Sequence, residues 1–92
     1  MSVTFEWDDR RDAENKAKHG VDFETAQYAF FDPRRLIIHD AQHSAEEERW
    51  FCIGNVKGQV LTVRFTYRGD TIRIFGAAAW RKGRKFYEKH NT

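Results

Sequence analysis

Two arginines, Arg64 and Arg73, stand in neighbouring runs of alternating apolar residues. A basic stretch follows them, Trp80-Arg81-Lys82-Gly83-Arg84-Lys85-Phe86-Tyr87-Glu88-Lys89. Two guanidinium groups on one face of a sheet can meet a single anion. Cations interleaved with aromatic rings suit phosphates and stacked bases. Arg64 and Arg73 are therefore candidates for holding a scissile phosphate, and Arg81, Lys82, Arg84 and Lys85 for binding flanking phosphates. The competing reading is structural: the arginines pair with carboxylates such as Glu47 or Asp8, and the acidic and basic halves of the chain neutralise one another. Residues 1–48 hold 6 Lys/Arg against 12 Asp/Glu, and residues 49–92 hold 10 against 2.

Other chemistries have less to work with. His19, His39, His43, His90 and Cys52 lack the C-x-x-C, H-x-x-x-H or H-E-x-x-H spacing of a metal site. Neither a G-x-x-x-x-G-K-[ST] phosphate loop nor a G-x-S-x-G elbow occurs. The reading is thus of no metal and no cofactor. RNA cleavage is the reaction that such side chains suffice for, because the substrate brings its own nucleophile, the 2′-OH. The protein has only to align it, take its proton and stabilise the charge that develops. His19, before a helix-ending glycine, serves either as acid/base or as a cap for the last carbonyls. Lys18 beside it is a further RNA-binding candidate. Glu47-Glu48-Arg49 reads as a base with a phosphate clamp or as a salt-bridged register device.

The elements that must position these residues follow from pattern. Val60 to Tyr67 and Thr71 to Ala77 form a hairpin around Arg68-Gly69-Asp70, since Gly and Asp tolerate the positive φ of primed turns. Pairing Arg68 with Thr71 puts Phe65 opposite Ile74, Val63 opposite Gly76 and Arg64 opposite Phe75, with Leu61, Val63, Phe65, Tyr67, Ile72 and Ile74 on the core face. Val3, Phe5 and Trp7 alternate as a strand that joins the sheet. Asp8 or Asp9 caps a helix to about His19, ended by Gly20 and seated by a narrow seam of Ala13 and Ala17, which leaves Arg10, Arg11, Asn15 and Lys18 free for solvent or ligand. A second helix, Glu24 to about Phe31 with Asp22 as cap, buries Phe23, Ala26 and Phe30 and stops at Asp32-Pro33. Leu36 to His39 is a strand, Asp40 to Glu48 an exposed mobile loop, and Arg49 to Gly54 a central strand. Trp80 and Tyr87, seven apart, share a helical face that packs on the sheet, with base stacking as the alternative. The order is β-α-α-β-β-β-β-α, and the last four strands form an antiparallel meander because their connections are too short for crossovers.

A chain of 92 residues has room for a single domain, 1–92. The lone Cys52 excludes a disulfide framework and favours a reducing compartment. The first residues lack a basic-then-apolar signal, and no apolar run spans a bilayer, so a soluble cytoplasmic protein is expected.

Phe5-Glu6-Trp7-Asp8, Asn15, Lys18-His19-Gly20-Val21 with Phe23 and Ala26, Phe31-Asp32-Pro33, Asp40, His43-Ser44, Glu47-Glu48-Arg49, Gly54 and Arg68-Gly69-Asp70 with Ile72-Arg73-Ile74 together resemble the BrnT toxins of bacterial type II toxin–antitoxin systems. The resemblance implies an α+β, RelE-like fold: an antiparallel sheet with two N-terminal helices and a basic C-terminal helix. It also implies a metal-independent ribonuclease that stops translation. The implied partner is a ribbon-helix-helix antitoxin, BrnA, which neutralises the toxin and with it represses their operon, so that operator DNA is met only through the complex. Where many members carry one or two arginines after the Ile-Arg-Ile stretch, this chain has Ala77-Ala78-Ala79-Trp80. Two readings stay open. Either Arg81 and Lys82 take over charge stabilisation, or Ala78 and Ala79 mark a weak or inactive copy that only binds RNA or antitoxin.

Overall fold

The computed structural model describes residues 3–92. Along the chain lie β1 (Thr4–Glu6), α1 (Asp9–His19), α2 (Phe23–Ala26), a 3-10 turn (Gln27–Phe31), β2 (Leu36–His39), a short 3-10 turn (Ala41–His43), β3 (Trp50–Val56), β4 (Gln59–Arg68), β5 (Thr71–Ala78) and α3 (Arg81–His90). β2 to β5 form the expected antiparallel meander, and β1 adds to β5 in parallel, giving the order β1-β5-β4-β3-β2. The fold is α+β. No helix among the described residues is long and apolar enough to cross a membrane.

One face of the sheet carries the main core. Phe23, Ala26, Ala29 and Phe30 pack there on Leu61, Val63, Phe65, Ile74 and Ala77. The helical stretch that supplies them tightens after Ala26 instead of running on as an α-helix to Phe31. Its close seat depends on Gly54: a Cβ there would lie 2.4 Å from the Ala29 carbonyl oxygen. Cys52 is fully buried in this core, and burial pushes its thiol up to about 12, so it is inert in the folded protein.

α1 departs from the expected apolar seam, because Ala13 and Ala17 are exposed and the helix buries no residue. Polar side chains hold it instead. Asp12 accepts the Phe23 N–H at 2.8 Å. Asn15, expected to be free, donates to the Val21 and Ala77 carbonyls, both at 2.8 Å, and accepts the Ala77 N–H at 3.2 Å. β1 pairs with β5 only from Thr71 to Arg73, so Asn15 satisfies backbone groups that the short strand leaves open.

The hairpin keeps its expected register from Arg68↔Thr71 to Phe65↔Ile74 and then breaks. A bulge at Phe75 sets Arg64 opposite Gly76 and Val63 opposite Ala77. Phe75 stays on the face of Arg64, as the unbulged pairing would also have it, and the extra residue turns Ala77 to the core. Tyr67, expected in the core, is 52% exposed, because β4 runs past the helical cover and its ring meets Phe65 and Trp50 only edge-on.

The second face is covered by α3. Gly83 sits directly on β4, where a Cβ would come within 2.0 Å of Thr62 Oγ1. Trp80 is the residue before the helix rather than part of a packed Trp80/Tyr87 face, and Tyr87 donates its hydroxyl to Asp32 at 2.5 Å. Asp32 also accepts the N–H groups of Asn55 at 2.7 Å and Arg34 at 2.9 Å. Burial pushes its carboxyl up, but the Tyr87 hydroxyl and the two N–H groups outweigh this and hold it below the usual aspartate value.

The 40–49 segment is exposed over most of its length, as expected, and is tied together at its base. Its neck is closed by Asp40 N–H to the Arg49 carbonyl at 2.8 Å, Ser44 Oγ to the Asp40 carbonyl at 2.6 Å and Arg49 N–H to Ser44 Oγ at 2.9 Å. Asp40 is only 6% exposed.

Asp8 and Asp22, capping α1 and α2 through backbone N–H groups, are likewise held low, Asp22 chiefly by its bonds from Thr25. Carboxyls lowered on folding contribute stability that is present above their unfolded value near 3.8 and lost as pH falls through the folded one. Tm should therefore hold steady from neutrality to about pH 4 and drop below it. Asp32→Asn should lower Tm at pH 7 and make its fall in acid shallower, as read by circular dichroism.

Candidate functional site

Between α3 and the second face of the sheet opens a groove of about 510 Å³. Its walls are apolar, with Ile38 from β2, Phe51 and Ile53 from β3, and Trp80 and Phe86 flanking Gly83 of α3. The strands bring these residues to one face by alternation, since Ile38 lies opposite Phe51 in the ladder. Three ionisable side chains line it, His43, Arg64 and Lys82, and all are basic.

His43 is oriented by a buried acid. Its Nδ1 lies 2.9 and 3.1 Å from the two carboxylate oxygens of Asp40. An ionised carboxylate only accepts, so Nδ1 carries the proton and Nε2 of the neutral ring is left to accept another. This is the arrangement of an oriented general base. In the sequence its signals are the Asp40-x-x-His43 spacing and the place of both residues among those that carry the family resemblance, inside a segment whose polarity reads as a mobile loop.

Arg64, at the floor of the groove, has no ion-pair partner among the described residues. Arg73 lies on the same face but is 3.6 Å from Glu6 of β1, and their side chains are 24% and 42% exposed. Arg49 lays its guanidinium over the Phe75 ring at 4.4 Å from the centroid, and Arg11 approaches the same ring at 5.8 Å. Four arginines thus gather about the bulge. Glu47 lies between Arg49 at 3.8 Å and Arg68 at 3.6 Å, and Glu48 pairs with His39, so both glutamates are engaged in holding the strands.

The remaining candidates are dispersed. His19 meets Trp80 edge-on, centroids 5.8 Å apart. Lys18 and Lys85 are exposed. Arg81 and Arg84 line a second depression on the opposite flank of α3, with Tyr87, Glu88 and the β3–β4 turn. Of the five RNA-binding candidates, Lys82 alone lines the groove. Ala78 is buried and Ala79 exposed at the edge of the second depression.

The family model described as "Ribonuclease toxin, BrnT, of type II toxin-antitoxin system" matches residues 7–83. The chain belongs to the BrnT family. A search of curated proteins finds no match. BrnT membership makes it a ribonuclease toxin of a type II system, with RNA as substrate and an antitoxin as partner. The matched span takes in Asp40, His43, Arg64 and Lys82 and stops inside α3, before Phe86.

The Asp40 contact makes a spectroscopic prediction. Nitrogen-15 NMR of the neutral His43 ring should report the Nδ1-protonated tautomer, and Asp40→Ala should return it to the mixture of an unconstrained imidazole. An Nε2-protonated ring in the unsubstituted protein would contradict the orientation described.

Proposed function

We propose that the chain cleaves RNA without a metal, through attack of a 2′-OH on the adjacent phosphate. The observation that carries this reading is the convergence on one groove of an acid-oriented histidine, an arginine without an ion-pair partner and a lysine. His43 Nε2 takes the 2′-OH proton as the oxygen bonds to phosphorus. Arg64 neutralises the charge gathering on the non-bridging oxygens, and Lys82 binds the adjoining backbone. The P–O5′ bond breaks, the leaving oxygen takes up a proton, and the products are a 2′,3′-cyclic phosphate and a 5′-hydroxyl. His19, the acid/base candidate of the sequence reading, stands against Trp80, and in this scheme His43 takes the proton instead.

Arg73 has a secondary role, shared between its Glu6 pair and the arginines around Phe75. Arg81, Arg84, Lys85 and Lys18 act as peripheral contacts to a longer RNA. We further propose that the toxin works in the cytoplasm, that its cleavage stops translation, and that a BrnA-like ribbon-helix-helix antitoxin covers the basic half and carries the pair to operator DNA. The net excess of ten Lys/Arg over two Asp/Glu in residues 49–92 suits an acidic antitoxin segment. The second reading, an inactive copy that binds RNA or antitoxin, rests on Ala78-Ala79. Lys82 in the groove favours the active form, because it adds a cation to the site that His43 and Arg64 line.

Purified protein incubated with bulk RNA and EDTA should produce fragments ending in 2′,3′-cyclic phosphate. A need for added magnesium or zinc, or fragments bearing 5′-phosphates, would refute the scheme, and RNA binding without fragments would favour the inactive copy. His43→Gln should slow cleavage by about 10²–10⁴-fold. Arg64→Ala should slow it by about 10²–10³-fold, the scale of a lost transition-state donor, with little change in Tm. Arg73→Ala removes a part-exposed pair worth no more than about 1 kcal/mol, so it should leave Tm nearly unchanged and slow cleavage less than Arg64→Ala.

A further inference from the structure

We propose that the groove beside α3 seats one unstacked base of single-stranded RNA, next to the phosphate held by Arg64, and so confines the toxin to single strands; this rests on the RNA-cleaving reading above. Three aromatic rings, Phe51, Trp80 and Phe86, line a cleft of about 510 Å³, within the roughly 300–1,000 Å³ usual for small-ligand sites. Two of the rings are braced from outside. His90 stacks on Phe86 with centroids 4.0 Å apart and 34° between planes, and its Nδ1 lies 2.9 Å from the Phe86 carbonyl. His19 meets Trp80 at 80°. Rings fixed before a ligand arrives lose little freedom when it binds.

The charges name the rest of the ligand. His43, Arg64 and Lys82 line the groove and no carboxylate does, which fits a flat apolar body carried on an anionic chain. A nucleotide has that form. The length of the groove disfavours a partner helix: its α3 side runs from Trp80 to Phe86, about 9 Å along the axis, whereas a docked helix is about 10–12 Å across and needs a trough of several turns. Paired bases are stacked within the duplex and cannot enter without being extruded. Phe51 and Trp80 lie within the span matched by the family model, residues 7–83, and Phe86 lies three residues past its end.

The test uses fully 2′-O-methylated octanucleotides, which lack the nucleophile and report binding alone. One carries all four bases and the other is abasic at every position, with the same charge. By fluorescence anisotropy the protein should bind the base-bearing chain about tenfold or more tightly than the abasic one, the scale of one stacked base. Phe86→Ala, a change at a side chain 37% exposed, should remove about that factor for the first chain and leave the second unchanged. Lys82→Ala should weaken both alike and reduce the salt dependence. A duplex of the same length should compete poorly. Equal affinity for the two single strands, equal losses on Phe86→Ala, or strong competition by the duplex would overturn the base seat, as for a groove shaped to a partner's side chain. If Phe86→Ala does not fold, the comparison of the two chains on the unsubstituted protein decides. Cleavage of bulk RNA by the same preparation keeps the questions apart: intact cleavage with no preference for bases sinks only this inference, whereas absent cleavage together with absent binding removes the reading beneath it.

Discussion

The carboxylate of Asp32 fixes where the second layer of the molecule lies. It stands at the end of the helical stretch after α2, and it accepts from Asn55 of β3, Arg34 of the following turn and the Tyr87 hydroxyl of α3. α3 buries only Gly83 fully, so apolar burial alone gives it a weak hold on the sheet. The Asp32–Tyr87 bond secures one flank and the bare backbone of Gly83 on Thr62 sets the height. That closeness has a cost, since Thr62 Oγ1 is buried without a hydrogen-bond partner among the described residues. The groove opens beside this line, walled by Trp80 and Phe86 on the α3 side and by Phe51 and Ile53 on the sheet.

The division of charge along the chain takes on a structural meaning here. Most of the acidic groups that the fold draws inward work as positioning devices: Asp12 on Phe23, Asp32 on three donors, Asp40 on His43, Glu6 on Arg73, Glu47 between two arginines. Each satisfies a neighbour, and none lines the groove. What is left there is a basic remainder, Arg64 and Lys82 beside the imidazole. A low-acid cleft in a protein with fourteen acidic side chains is a matter of placement, since composition alone would have allowed full neutralisation.

Local chemistry made much of this legible in the sequence. The order of elements, the cap at Asp22, the stop at Gly20 and the core positions Phe23, Ala26 and Phe30 all follow from residues within a few places of one another. The hairpin register held as far as Ile74 because the turn fixes it, and failed at Phe75, where the bulge answers the need to bring Ala77 back to the core. Asn15 and Asp40 were opaque for a related reason. Their partners are backbone groups of another strand and a histidine in a polar loop, and periodicity carries no trace of either. Arg64 and Lys82 were readable as cations of interest; that Lys82 and Arg81 face opposite flanks of one helix depends on how α3 is rolled against the sheet.

The side chain of Asn15 turns an N–H and its carbonyl, at the spacing of a peptide unit, to Ala77, and gives its second N–H to the Val21 carbonyl. β5 is flanked by a strand of only three residues, so its outer edge would otherwise be exposed beyond Arg73. Bare edges are where sheets of separate molecules join. A single amide on a solvent-facing helix thus closes this stretch of β5 beyond the end of β1: it takes the two backbone groups at which a longer strand would pair, and it does so with a group too short to propagate the ladder any further.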